Sequence, residues 1–147
     1  MSVDKEQVRA AVEQSFEDSE NMKKMISSDA SAGDPMWDAL MARVNASNRA
    51  RMWDIFAEEA WRHIENYTVP QYGDFPDDQV AKWDEEQLKT QIEKYLNRLS
   101  SSSRGEQESN MDLIKIAHYA QLIWSKRLGF EEAFKQVIEE RKDNGPE

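Results

Sequence analysis

The chain has 147 residues, of which 33% are charged, and a formal net charge of −10; this length fits one domain with its own core. It contains no cysteine, which excludes disulfides, thiolate catalysis and cysteine-based zinc sites. No apolar run approaches the roughly 18–20 residues of a membrane span, and the first residues lack an apolar signal-peptide segment. We therefore expect a cytoplasmic protein without membrane contacts.

The predicted secondary structure is helical throughout, because apolar residues recur at helical spacing and no stretch alternates as a strand does. In chain order the predicted helices cover residues 4–27 (one long helix or two short ones), 35–46, 48 to the residue before Pro70, 85–99, 110–128 and 130–142. Asp34 before Pro35 is typical of a helix start. Asp84, with Gln87 three residues later, predicts a capping box, and Gly129 a C-terminal cap.

The fold class predicted from this pattern is all-α. We expect a single compact bundle of five to seven helices over residues 1–147, with one long aromatic and acidic loop. Linkers rich in small and polar residues predict mobile segments at 28–33, 100–109 and 143–147.

The apolar stripes predict which side chains form the core. Trp53 and Trp124 belong to such stripes and are expected to be buried. The helix over 110–128 carries Leu113 in its main stripe and further apolar residues beside it, so it is expected to be the most buried helix. In the helix over 85–99 the stripe comprises Leu88, Ile92, Tyr95, Leu96 and Leu99.

The negative charge is concentrated in residues 54–86, where ten acidic and two basic side chains give a net charge of −8. Such a stretch repels the phosphates of nucleic acids and attracts a basic protein surface or a divalent cation. We therefore expect no direct nucleic-acid binding. The same acids also fit a simpler interpretation, which is solubility alone.

Residues 67–83, YTVPQYGDFPDDQVAKW, combine aromatic and acidic side chains between two predicted helices. Trp and Tyr are favoured at interfaces because they bury large areas at a small entropic cost. The candidate partner-binding residues are Trp61, Tyr67, Tyr72, Phe75, Asp77, Asp78 and Trp83. Alternatively, these aromatic residues fold back as a small local core under the loop.

The second candidate site is a metal site formed by carboxylates. Glu108 and Asp112 are four residues apart and share a helix face, and oxygen ligands suit Mg²⁺. With Glu58 and Glu59 from an earlier helix they form the candidate metal-ligand set. His63 and His118 border apolar stripes, where a histidine acts as a hydrogen-bonding residue or, alternatively, as a base or ligand.

Short motifs between residues 72 and 120 follow one another in a familiar order: Tyr72-Gly73-Asp74, Trp83, Gln91-Ile92 with Lys94 and Arg98, Glu108-Ser109, Asp112 and Tyr119-Ala120. This order resembles the nucleotide-modification-associated helical domains of phages and mobile elements, which are similar to MazG-like nucleotide pyrophosphohydrolases. The resemblance implies a bundle that handles nucleoside triphosphates with Mg²⁺ and carboxylates. It implies that Asp112 is the acid of the later helix and Glu108 its partner.

The chain differs from MazG-like enzymes in its earlier helix, where those enzymes carry an ExxE pair. Here Glu58 and Glu59 are followed three residues later by Trp61 and Arg62. The sequence therefore lacks that pair in this helix.

Three functions remain open at this point. The first is a binding module without a cofactor, which uses residues 54–86 to bind a protein with a basic or mixed surface, or a second copy of itself. The alternative is a Mg²⁺-dependent nucleoside triphosphate pyrophosphohydrolase or nucleotide-handling protein. The third is a small-molecule pocket between helices, lined by Trp and Met side chains. The sequence leaves open whether the protein is an enzyme.

Overall fold

The structure is a computed structural model that describes residues 5–26, 34–101 and 105–145. Its elements are α1 (Lys5–Ile26), α2 (Pro35–Val44), α3 (Asn48–His63), a π-helical turn (Ile64–Thr68), α4 (Val69–Tyr72), a 3₁₀ turn (Val80–Lys82), α5 (Glu85–Ser101), α6 (Glu106–Arg127) and α7 (Phe130–Asp143). These ranges contain no strand, so the predicted all-α fold class is confirmed. None of their helices combines the length and the apolar character that a membrane crossing requires.

The chain divides into two compact units, and the division lies between Glu59 and Ala60, inside α3. In the first unit α1 contacts α2. Arg51 of α3 links the three helices of this unit: its guanidinium donates to Ser19 Oγ (2.7 Å) and to the carbonyl oxygen of Val44 (3.1 Å) and lies 4.2 Å from the centre of the Phe16 ring.

The second unit is built on the pair of α5 and α6, which contact each other along their length. The connection between them is short, which makes the pair antiparallel. Leu88 of α5 is fully buried, and Tyr95, two turns later, is buried as well. α7 packs on α6. The core of this unit therefore lies along the inner face of α5.

The predicted helix caps are confirmed. Asp34 accepts a hydrogen bond from the backbone N–H of Met36 (2.9 Å). Asp84 and Gln87 form a reciprocal capping box, in which Asp84 Oδ1 accepts from the Gln87 N–H (2.8 Å) and Gln87 Oε1 accepts from the Asp84 N–H (2.9 Å). Gly129, with φ +73°, separates α6 from α7 in the left-handed conformation that glycine adopts at no steric cost.

Pro70 does not end the helix before it, contrary to the sequence prediction. The chain first widens into the π-helical turn, in which the Val69 N–H bonds to the Ile64 carbonyl. Pro70 then falls in the first turn of α4, where its missing N–H is tolerated. The helical stretch ends instead at Gly73, with φ +93°. The linker predicted over 100–109 is also shorter, because α5 reaches Ser101 and α6 begins at Glu106.

Each of the three predicted mobile segments lies wholly or partly outside the described part of the chain. The residues concerned are 28–33, 102–104 and 146–147. α7 ends at Asp143, at the start of the third predicted segment.

Several predicted core residues face solvent instead. Trp53 and Trp124 are more than half exposed, and Leu113 and Leu96 are nearly half exposed. The prediction that α6 is the most buried helix is confirmed within the described ranges, since 13 of its 22 residues are buried or half-buried, although its two fully buried residues are the polar Asp112 and Ser125. Since α6 has apolar residues on most of its faces, its sequence does not determine which face packs inward.

Candidate functional site

Three of the candidate partner-binding residues are exposed on the helical stretch formed by the end of α3, the π-helical turn and α4. The side chains of Trp61, Tyr67 and Tyr72 are 63%, 60% and 56% exposed. A single exposed apolar residue is ordinary on a protein surface. The three large aromatic side chains of this helical stretch therefore present apolar area to solvent, as Met52 and Trp53 do in the first unit.

The other two aromatic candidates are half-buried and hold the loop against the helices. Phe75 contacts Phe134 of α7 edge to face, with 5.4 Å between ring centres. Trp83 stacks on Tyr119 of α6 at 6.3 Å. The sequence allowed either an exposed contact surface or a local core under the loop, and the structure contains both. Phe75 and Trp83 form a local core, whereas the Tyr72 side chain faces solvent.

The loop between these contacts is a tight turn with acidic side chains. Asp74 Oδ1 accepts a hydrogen bond from the Phe75 N–H (2.8 Å), and the Asp77 N–H bonds to the Asp74 carbonyl (3.1 Å). The Phe75–Pro76 peptide bond is cis. Asp74 and Asp77 are exposed, while Asp78 is half-buried. The turn thus presents two carboxylates to solvent next to Tyr72.

The acids at the start of α5 have partners within the second unit. Glu85 forms ion pairs with Arg127 (2.5 Å) and Lys89 (3.4 Å), and Glu86 forms one with Lys89 (3.2 Å). The hydrogen bond from Arg127 is the main reason that the pKa of Glu85 is lowered to about 2. Together with the capping role of Asp84, these contacts give the acids at residues 84–86 a structural function.

A polar cluster lies next to the exposed aromatics and comprises His63, Asp78, Lys115 and His118. Burial lowers the pKa of His118, and the neighbouring His63 lowers it further, while Asp78 opposes the shift. Burial also lowers the pKa of His63, with a further contribution from Lys115. Among the described residues, His63 Nδ1 and Asp78 Oδ1 are buried atoms without a hydrogen-bond partner. The ring of His63 stacks on Tyr67 at 5.6 Å.

These histidines predict that stability depends on pH. Their pKa values in the folded chain lie below the ordinary value of 6.5, so the unfolded chain binds protons first as the pH falls. The contribution of the two neutral histidines to the free energy of unfolding is complete above pH 6.5 and is lost as the pH falls toward their pKa values in the folded chain. Urea denaturation between about pH 7 and pH 5 should show a loss of stability.

The control for that measurement is the variant His63→Gln/His118→Gln, which should lose less stability than the wild-type chain over the same pH range. Equal losses in both proteins would show that other groups cause the pH dependence.

A second polar feature surrounds Tyr95. From the sequence, this residue was expected to belong to the apolar stripe of its helix, and no polar surroundings were predicted for it. Burial, together with the neighbouring Tyr95, raises the pKa of Tyr119 to about 12. Lys94 Nζ, Arg98 Cζ and Lys115 Nζ lie 5.5, 5.4 and 5.2 Å from the centre of the Tyr95 ring. Lys94 and Arg98 lie on the same helix as Tyr95, so Lys115 of α6 is the cation of the three whose attraction to the ring links α5 to α6. No sequence signal pointed to this arrangement, because it depends on how α5 pairs with α6.

The four carboxylates of the metal hypothesis are divided between the two units, with Glu58 and Glu59 before the division and Glu108 and Asp112 after it. Glu108 is exposed, whereas Asp112 is 2% exposed, and its Oδ1 has no hydrogen-bond partner among the described residues. Within the described ranges, no group of three or more His, Asp or Glu side chains is placed to hold a metal ion. The candidate metal-ligand set therefore stays a prediction.

A scan against protein-family models, a search of curated proteins and a search of solved structures each found no match to this chain. The resemblance to nucleotide-modification-associated and MazG-like domains therefore stays a prediction.

Proposed function

We propose that this chain is an acidic helical binding module that docks a basic or mixed protein surface through residues 54–86. The observation that carries the proposal is the exposure of Trp61, Tyr67 and Tyr72 in the most acidic part of the chain. Aromatic side chains anchor interfaces because they lose little conformational entropy when they are buried. Acidic side chains around them steer a basic partner toward the same surface.

The charges of the second unit support a basic partner. Between Ala60 and Glu86 there are seven acidic and two basic residues. Glu85 and Glu86 pair with cations of their own unit, whereas Glu65, Asp74 and Asp77 are exposed near Tyr67 and Tyr72. A basic surface that covers Tyr67 and Tyr72 would therefore also contact the carboxylates of Glu65, Asp74 and Asp77.

Self-association through the same residues is less favourable than binding of a basic partner. A second copy brings the same net charge of −8 to the contact, and like charges that face each other across an interface oppose binding. Sedimentation velocity at low and moderate salt distinguishes self-association from binding of a basic partner. Screening by salt would favour a dimer of this chain, whereas it would weaken a complex with a basic partner.

The test is a fluorescence-anisotropy titration with a labelled helical peptide of about 18 residues, with Leu on one face and Lys and Arg on its flanks. We expect saturable binding that weakens as salt rises from about 50 to about 300 mM. The control peptide carries Glu in place of Lys and Arg. Equal binding of both peptides, or no saturable binding of either, would contradict the proposal.

The alternative function, a Mg²⁺-dependent nucleoside triphosphate pyrophosphohydrolase of phage or mobile-element type, rests on the sequence resemblance alone. Within the described ranges no group of three or more His, Asp or Glu side chains is placed to hold a metal ion, and we derive no catalytic step for this function.

A further inference from the structure

The polar cluster of His63, Asp78, Lys115 and His118 joins three separate elements of the second unit. His63 is the last residue of α3, directly before the π-helical turn, and Asp78 lies in the loop over residues 73–83. Lys115 and His118 lie about one turn apart on α6. The two histidines interact electrostatically with each other. A change in their charge therefore acts between elements of the fold and not within one helix.

The surroundings of His63 fit the neutral form of its ring. A neutral imidazole carries one N–H donor and one acceptor nitrogen, whereas a protonated imidazole carries two N–H donors. Nδ1 of His63 is buried and has no hydrogen-bond partner among the described residues, and the ring stacks on Tyr67 (5.6 Å between ring centres). Protonation would therefore leave a charged ring with a buried N–H that no described residue accepts, which costs free energy.

The charges around the two histidines also favour their neutral forms. Burial is the main cause of the lowered pKa of His63, and Lys115 lowers it further. Burial lowers the pKa of His118 as well, with a further contribution from His63, while Asp78 opposes the shift. The neighbouring ring of Tyr119 adds no charge, since burial raises its pKa to about 12. Protonation of both histidines would place three cations beside one carboxylate, which is a repulsive arrangement.

The helical stretch over residues 64–72 is the part of the fold that can respond to this repulsion. α6 is fixed by its contacts with α5 and α7, whereas the π-helical turn contacts α4, the next element of the chain. Helices bend at such turns. The stretch is linked to α6 at both ends, by His63 at its start and by Tyr72, which acts on Tyr119. Its separation from α6 would expose Nδ1 of His63 to water and move the charged ring away from Lys115.

We propose that the polar cluster is a pH-sensitive switch: in mildly acidic solution His63 and His118 take up protons, and the helical stretch over residues 64–72 separates from α6. At neutral pH both rings are uncharged and the stretch stays packed. The inference goes beyond the proposed function, because it concerns a movement within this chain and needs no partner. It also goes beyond the loss of overall stability expected for these histidines, because it places the first loss of structure in one segment.

Amide hydrogen exchange of the full chain at about pH 7 and about pH 5.5 tests the switch. Exchange rates are corrected for the intrinsic effect of pH, and α5 serves as the internal reference. We expect residues 64–72 to lose protection at the lower pH while α5 keeps it. The variant His63→Gln/His118→Gln should keep the protection of residues 64–72 at both pH values, since glutamine gains no charge. No peptide is present, so the result does not depend on the proposed function.

Two further variants should shift the switch in opposite directions. Lys115→Met keeps most of the apolar stem but removes the charge, so it should raise the pKa of His63. Asp78→Asn removes the carboxylate that favours a charged His118, so it should lower the pKa of His118. NMR titration of the imidazole C–H signals measures both values. The chain has only two histidines, so the two rings are readily distinguished.

Each of these two variants has a matched control outside the polar cluster. Lys94→Met removes a lysine that lies beside the Tyr95 ring as Lys115 does, at 5.5 and 5.2 Å from the ring centre. Asp74→Asn removes a carboxylate from the same loop as Asp78. Neither control should change the pKa of either histidine. Circular dichroism confirms that each variant is folded.

Four results would overturn the inference. Equal protection of residues 64–72 at both pH values would show that the stretch does not open. An equal loss of protection in α5 would show that the whole unit opens in one step. A loss of protection in His63→Gln/His118→Gln that matches the wild type would show that other groups cause the opening. Unchanged histidine pKa values in both Lys115→Met and Asp78→Asn would exclude the polar cluster as its trigger.

Discussion

Replacing Leu88 by alanine should lower the free energy of unfolding of the second unit by about 3 kcal/mol. Leu88 is fully buried and lies on the face of α5 that packs in the core of this unit. The substitution removes the apolar contacts of the side chain and leaves a cavity that the surrounding helices close only in part. A loss of this size is a large fraction of the stability of a small domain.

Leu96→Ala is the matched control, since Leu96 lies on the same helix but is 48% exposed. It should cost less than about 1 kcal/mol, in line with its smaller loss of buried area. Urea denaturation followed by circular dichroism measures both variants. Because the chain comprises two units, the data are fitted with one transition or two as the curves require. Equal losses for Leu88→Ala and Leu96→Ala would contradict the described core.

The second large effect concerns binding. The triple variant Trp61→Ala/Tyr67→Ala/Tyr72→Ala should weaken binding of the basic helical peptide by about a hundredfold or more, because interface energy concentrates in a few aromatic anchors. Its stability should stay close to that of the wild-type chain, since all three side chains are mostly exposed. Anisotropy titration and thermal melting report the two quantities separately.

Trp53→Ala is the control for the triple variant. Trp53 is as exposed as Trp61 but lies in the first unit and outside the candidate set, so its replacement should leave the affinity within about twofold. A triple variant that binds like wild type would show that these aromatics are not anchors. A triple variant that melts much earlier would show that they support the fold.

Local features of the fold could be predicted from the sequence because they depend on neighbouring residues alone. The capping box of Asp84 and Gln87 needs only two side chains three residues apart and the backbone between them. Pro70 misled the prediction because the π-helical turn before it moves the proline into the first turn of α4, and nothing in the sequence marks that turn.

The placement of side chains in space could not be predicted in the same way. Trp124 belongs to an apolar stripe, but α6 is apolar on several faces, so only the packing of α5 and α7 decides which face is covered. The exposed aromatics Trp61 and Tyr72 were candidate anchors from their composition and acidic surroundings. The neighbouring polar cluster of His63 and His118 was not predicted, because it joins residues from distant parts of the chain.

Docking of a basic partner through the exposed aromatics is tested most directly by amide hydrogen exchange of the full chain, with and without the basic helical peptide. A bound partner slows exchange where it covers or stabilises the backbone. We expect slower exchange in the π-helical turn, α4 and the loop over residues 73–83, and no change in α1. Protection confined to α1 and α2, with none between residues 60 and 83, would contradict it.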